Sequence, residues 1–258
     1  MILDRHWLGV EYRNSLTGGS PYDHRLMRRQ APLRENHCSR MSISLRRFSS
    51  IELLPALIAL FITLPFVETI RAGTMIESIL ISLVLISAIF AIAANKWVLA
   101  IAILLAFPAL LGRWIHQFRP DLMPPEVFLI GGILFVLFVI INLLRFALAA
   151  KSVSTEVLCA SISAYLLLGL LWTFGYWLVA ELVPNAFSFS GPDTSLKGFN
   201  GLYFSFITIS TVGYGDITPV ARVARLLAAM EAVTGLLYVA VLIARLVSLH
   251  TISKSHES

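Results

Sequence analysis

The sequence predicts an all-α membrane protein of six transmembrane helices, with a shorter helix re-entering the membrane between the fifth and the sixth. Two features of the whole chain and one local feature predict this class. Of the 258 residues 57% are hydrophobic and only 14% are charged, and the mean hydropathy is +0.81, far too apolar for a soluble domain whose surface needs charge. Apolar runs recur at lengths that suit a hydrocarbon core needing about 20 helical residues. Between the last two runs lies an apolar stretch of about ten residues, which is too short to cross.

Residues 1–50 are polar and carry nine of the twenty Lys and Arg, with a Gly18-Gly19-Ser20-Pro21 breaker and no sustained periodicity. They are expected to form a largely disordered basic cytoplasmic tail. No apolar core follows Met1 closely and no small-residue cleavage site is evident, so the segment does not read as a signal peptide. Met41 opens a shorter product, which leaves two readings of residues 1–40: a dispensable tail, or a start placed too far upstream. Because the net charge of +5 is concentrated in this tail beside a membrane span, it points to the cytoplasmic side and not to a nucleic-acid partner.

The predicted spans are Ile51 to Ile70, Met75 to Ala94, Trp97 to Leu111, Val127 to Ala149, Val157 to Leu182 and Val223 to Ser248. The third is short and holds Pro108, so it is either kinked or extended through Trp114 and Ile115. The connections at 71–74 and 95–96 are tight, which implies antiparallel neighbours. Four organisational units follow: the tail 1–50, a four-helix module 51–150, a second module 151–250, and a short cytoplasmic tail 251–258 too small for a soluble ligand-binding domain. Basic residues near predicted inner ends include Lys96, Arg145, Lys151 and Arg245, against Arg71, Arg113, Arg119, Lys197, Arg222 and Arg225 outside. With the tail's arginines added, the bias is weak but agrees in sign with both termini lying in the cytoplasm, the orientation that six spans and a loop dipping in from outside would give. Trp97, Trp114 and Trp177 fall near span ends, where amphipathic rings prefer the interface.

Within 151–250, a Pro- and Ser-rich turret leads into Gly198-Phe199-Asn200-Gly201-Leu202-Tyr203-Phe204-Ser205-Phe206-Ile207-Thr208, and then into Thr211-Val212-Gly213-Tyr214-Gly215-Asp216. That last string is recognised as the pattern of a potassium-ion filter, in which backbone carbonyls replace the ion's water. One chain supplies one oxygen at each level of such a ring, so a single copy of the motif implies four chains in a C4 homotetramer. Glycine permits backbone angles closed to other residues, which allows successive carbonyls to face the axis. Thr211, Val212, Gly213, Tyr214 and Gly215 are therefore expected to form the ion sites, with the Thr211 hydroxyl at the inner mouth and Asp216 attracting cations at the outer one. Tyr203, Phe204 and Thr208 are expected to support the filter, with the Tyr214 ring bracing against Tyr203 and Phe204. Non-helical backbone at membrane depth survives only where protein buries it or where it lines a watery path, and a pore loop meets that condition.

The motif, the flanking spans, Ile217-Thr218-Pro219 and Arg225 resemble the potassium channel superfamily, specifically prokaryotic-type six-helix channels, over about residues 160–250. Residues 1–155 match only in the number of spans. The resemblance implies K+ as the permeant ion, no cofactor, no enzyme activity, and a place in the plasma (cell inner) membrane. It also implies a gating hinge at Gly235, with Leu236, Val239 and Ile243 facing an inner cavity; the competing reading is that Gly235 only permits close helix packing. The fourth span departs from a voltage-gated channel, since it carries only Arg145, near its inner end, where a sensor needs several repeated charges.

Glu231 is the most unusual intramembrane charge, because an unpaired carboxylate there would be expensive. It is expected either to bond the pore helix or a basic partner such as Arg222 or Arg225, or to draw cations or sense protons. Glu68 and Glu77 read as solvated helix ends. The six histidines, His6, His24, His37, His116, His250 and His256, lie in predicted tails or loops, and Cys38 and Cys159 read as inert thiols, so neither a metal nor a catalytic cluster is expected. Two other readings remain in view: a potassium transporter subunit, and a membrane sensor or partner module with a regulatory pore.

Overall fold

The computed structural model describes residues 50–67, 73–93, 95–119, 121–191 and 194–255, all within one compact unit. Residues 1–49 of the expected disordered tail therefore lie outside the described residues, as do Glu68, Arg71 and residues 256–258, and with them Cys38, His6, His24, His37 and His256, whereas His250 falls within a helix and not in a tail or loop. Seven helices are present among the described residues: α1 (Ser50–Val67), α2 (Gly73–Ile92), α3 (Lys96–Phe118), α4 (Pro125–Ala149), α5 (Thr155–Leu182), α6 (Phe199–Ile209) and α7 (Arg222–Ser255). Two three-residue strands, β1 (Phe187–Phe189) and β2 (Ile217–Pro219), pair antiparallel with Phe187 opposite Pro219 and Phe189 opposite Ile217.

Five of the helices, α2, α3, α4, α5 and α7, are long and apolar enough to cross a membrane. The apolar stretch of α1, Glu52–Val67, and α6 are shorter. Helix ends follow local chemistry: Asn95 and Ser154 cap α3 and α5 by accepting from Trp97 N and Val157 N, and Pro125 opens α4 at a position where its missing N–H is no loss. The third predicted span proves longer than its apolar run, because α3 continues past Pro108 to Phe118. Helix α7 likewise runs on through Ser255, so residues 251–255 continue the helix instead of forming a separate tail.

Packing follows chain order from α1 to α5, and α4 lies most extensively against α5. On α1 the residues Leu53, Leu57, Leu60 and Leu64 form one buried stripe, while Ile58, Ile62 and Phe66 on other faces are 44%, 62% and 69% exposed. A helix apolar all round, with large aliphatic side chains turned outward, suits lipid as its solvent. Helix α5 is the hub: α1, α4, α6 and α7 all rest on it. The first helix also reaches the shortest one directly, where the rings of Phe61 and Phe206 meet edge to face at 4.6 Å.

At one end of the four-helix module, Arg113 pairs with Glu77 at 2.9 Å, both side chains only 15% exposed, and the Arg113 Nε donates to Ser78 Oγ. Glu77 is thus not a solvated helix end. A neighbouring guanidinium on α3 holds it at the junction of two helices, a long-range pairing that no local pattern announces. His116 corrects a second expectation, since it sits inside the last turn of α3 with its Nδ1 2.9 Å from Met123 O.

Candidate ion-conduction site

Helix α6 is 11 residues long, about 16 Å at 1.5 Å per residue, and ends two residues before Thr211. It lies between α5 and α7. Its outer flank is fixed by an aromatic triad in which Phe204 meets Tyr176 at 4.9 Å and Phe187 at 5.6 Å, each edge to face, a geometry contributing about 0.5–1.5 kcal/mol per pair beyond area burial. Phe187 belongs to β1, so the turret is tied into the same cluster.

The last carbonyls of a helix lack intrahelical partners, and here the following loop supplies them. Ser210 N donates to Phe206 O, Thr211 N to Thr208 O at 2.9 Å, and Val212 N and Gly213 N both to Ile207 O at 2.9 and 3.1 Å. Across a trans peptide the C=O opposes the N–H. With the N–H groups of Val212 and Gly213 turned back to α6, the carbonyls of Thr211 and Val212 point away from it. Positive φ angles alternate along the same stretch, at Thr211 (60°), Gly213 (52°) and Gly215 (80°), while Val212 and Tyr214 between them are not positive. For a β-branched residue such as Thr211 that conformation is strained, the kind of outlier that clusters at functional sites.

Beyond the motif the chain is clamped again. Ser190 N donates to Asp216 O at 2.8 Å, and Val220 N and Ala221 N donate to Ala186 O, extending the β1–β2 pairing. The Asp216 Oδ2 accepts from the Tyr203 hydroxyl at 2.8 Å. Thr208 Oγ1 donates to Phe204 O within α6. Ser210 through Gly215 are exposed in the single chain, Tyr214 by 73%.

The expected bracing of Tyr214 by Tyr203 and Phe204 is not formed within one chain. Phe204 is committed to Tyr176 and Phe187, and Tyr203 stacks at 6.0 Å on Phe199 while bonding Asp216.

Behind the loop, Glu231 on α7 is fully buried and joins three helices. Tyr176 of α5 donates its hydroxyl to Glu231 Oε2, and Ser205 of α6 lies 2.5 Å from Oε1. Neither Arg222 nor Arg225 is its partner; Arg225 Nε donates to Pro219 O at 3.1 Å, at the start of the helix. Gly235, one turn further along an unbroken α7, is buried where a Cβ would meet Ile209 O at 2.4 Å. Leu236, Val239 and Ile243 are 66%, 42% and 57% exposed in the single chain. Tyr176 and β1 carry the site without having been singled out in the sequence, and Ser205 and Ile217-Thr218-Pro219 were named there without these roles; the only hint was a pair of hydroxyl side chains inside otherwise apolar runs. Among the described residues no group of three His, Cys, Asp or Glu side chains is placed to hold a metal ion.

Residues 154–251 match a protein family described as ion channel. A two-pore potassium channel 4 from Arabidopsis thaliana is 42% identical over 65 residues, which are 25% of this chain and 22% of that protein. The matched stretch thus spans about a fifth of that relative's length. No solved structure matches the chain. The short helix, the strained loop and the long helix that follows all lie inside the matched segment, so it is residues 154–251 that are similar to ion channels, a potassium channel among them.

Proposed function

We propose that the chain is the subunit of a potassium-selective channel, in which four copies surround one axis and K+ passes passively down its gradient through residues 211–216. The observation that carries this reading is the turned backbone of the motif: the N–H groups of Thr211, Val212 and Gly213 are spent on the end of α6, the φ angles alternate in sign, and the carbonyls of Thr211 and Val212 point away from α6, where they can face an ion. Stripping K+ of water is costly, and rings of such carbonyls recover that cost only when several converge at each level. Thr211 to Gly215 line the ion sites, and Asp216, oriented by Tyr203, raises the local cation concentration at the outer mouth.

In the assembled protein α1 to α5 and α7 are the six spans, α6 is the re-entrant pore helix, and both termini lie on the cytoplasmic side of the plasma membrane. The free side of Tyr214 then packs against a neighbouring copy. Leu236, Val239 and Ile243 face the inner cavity, where an apolar constriction closes by dewetting. Gly235 is the point at which α7 bends, and its contact with Ile209 O passes that bend to the base of the filter. The Tyr176, Glu231 and Ser205 network holds the pore helix at a fixed depth between α5 and α7.

The test is potassium flux into liposomes holding the purified protein, set against sodium flux and repeated for Gly213→Ala. The wild type is expected to pass K+ far faster than Na+. Gly213→Ala, at φ +52°, is expected to lose that preference. Equal K+ and Na+ flux in the wild type, or flux that requires a second driving ion as in a transporter subunit, would overturn the reading.

A further inference from the structure

Where the end of α4 and the start of α5 meet α7, the structure forms a cavity of about 290 Å³ that is open on one side. Its walls include Ala147, Val157, Leu237, Val241 and Leu242. The hydroxyl groups in its lining are all turned into backbone: Ser161 Oγ donates to Val157 O at 2.8 Å, Thr234 Oγ1 to Met230 O at 2.6 Å, and Tyr238 OH to Ser161 O at 2.5 Å. What they present to the cavity is therefore apolar surface.

Arg245 is different. Its Nη2 donates to Leu148 O at 2.9 Å and Ala150 O at 2.8 Å, its Nε is buried with no partner, and among the described residues no carboxylate pairs with it. Two carbonyl dipoles satisfy protons but do not neutralise a charge, and an uncompensated guanidinium beside an apolar cavity in a membrane is costly. The complement of this site has an anionic head for Arg245 and an apolar tail for the cavity. Guanidinium matches phosphate by shape as well as by charge. Lys151 and Arg145, both exposed at the same end of α4, add to the pull on an anionic bilayer surface.

We propose that this cavity binds one anionic phospholipid, its phosphate on the Arg245 guanidinium and an acyl chain between α4, α5 and α7. The lipid would cover the junction that Arg245 makes between the end of α4 and the inner part of α7. This rests on the membrane setting but not on ion selectivity, so its readout is lipid retention and not flux.

The experiment is native mass spectrometry of the full-length protein, released from vesicles containing equal amounts of phosphatidylglycerol and phosphatidylcholine. The wild type is expected to retain phosphatidylglycerol selectively, and Arg245→Gln to retain about fivefold less. Because Arg245→Gln also breaks the two carbonyl contacts, Leu237→Trp, at a 58% exposed position, fills the cavity with Arg245 intact and is expected to lose the lipid too. Arg119→Gln, an exposed charge at the other end of the bundle, is expected to retain it as the wild type does. Equal retention of the two lipids by the wild type, or undiminished phosphatidylglycerol on both cavity variants, would overturn the proposal. So would loss of oligomer on Arg245→Gln with no lipid bound to the wild type, which would make the site a contact between copies.

Discussion

Glu231 lies within three contacts that a count of protons can resolve. Ser205 Oγ is within bonding distance of both Gly169 O (2.8 Å) and Glu231 Oε1 (2.5 Å), and the Tyr176 hydroxyl is on Oε2. The carbonyl can only accept and a serine hydroxyl carries one proton, so Ser205 shares its proton between Gly169 O and Glu231 Oε1 unless position 231 supplies a donor of its own. A glutamine supplies one, its amide donating to Ser205 and its carbonyl accepting from Tyr176. Glu231→Gln is therefore expected to keep the melting temperature of the detergent-purified protein. Glu231→Ala, by orphaning the buried Tyr176 hydroxyl at about 1–3 kcal/mol while Ser205 keeps Gly169 O, is expected to lower it by about 5 °C. A Gln variant as unstable as the Ala variant would mean that a negative charge, and not a donor, is what the site needs. The sequence flagged Glu231 because a carboxylate in an apolar run is conspicuous, but its partners lie 55 and 26 residues away and carry hydroxyls that apolar helices often turn onto their own backbone.

Among the elements, α2 to α7 were legible because length and hydropathy are local properties, and α6 because it was too short to cross. The strands β1 and β2 were not, since three residues each carry no periodicity and their pairing is set by a turret and a loop almost thirty residues apart. The Arg113–Glu77 pair was missed for the same reason. Helix α4 carries its functional message through what it lacks along its length. Arg145 is exposed near its end, and no other Lys or Arg lies in Pro125–Ala149. Each charge that crosses the field contributes about 2.3 kcal/mol per 100 mV, and one peripheral arginine cannot produce a steep response. Purified protein in planar bilayers is thus expected to give currents with little intrinsic voltage dependence, and a steep conductance–voltage curve would sink that expectation.

For the molecule as a whole, the proposed reading of one filter motif in a 28.5 kDa chain calls for four chains. Light scattering of the purified protein, corrected for detergent, is expected to give four chain masses; a monomer or dimer that still passed K+ selectively would refute the assembly. The exposed flank of Tyr214 and the exposed face of α7 at Leu226, Met230 and Val233 are where the copies would meet. The edge contact of Phe61 with Phe206 bears on a different matter, the ancestry of the chain's parts. A two-helix pore beginning at α5 would leave the flank of α6 open to acyl chains, and Phe206 would lose the ring that α1 lays across it. The first helix is in that sense insulation: remove it, and the oil of the bilayer becomes the neighbour of α6 itself.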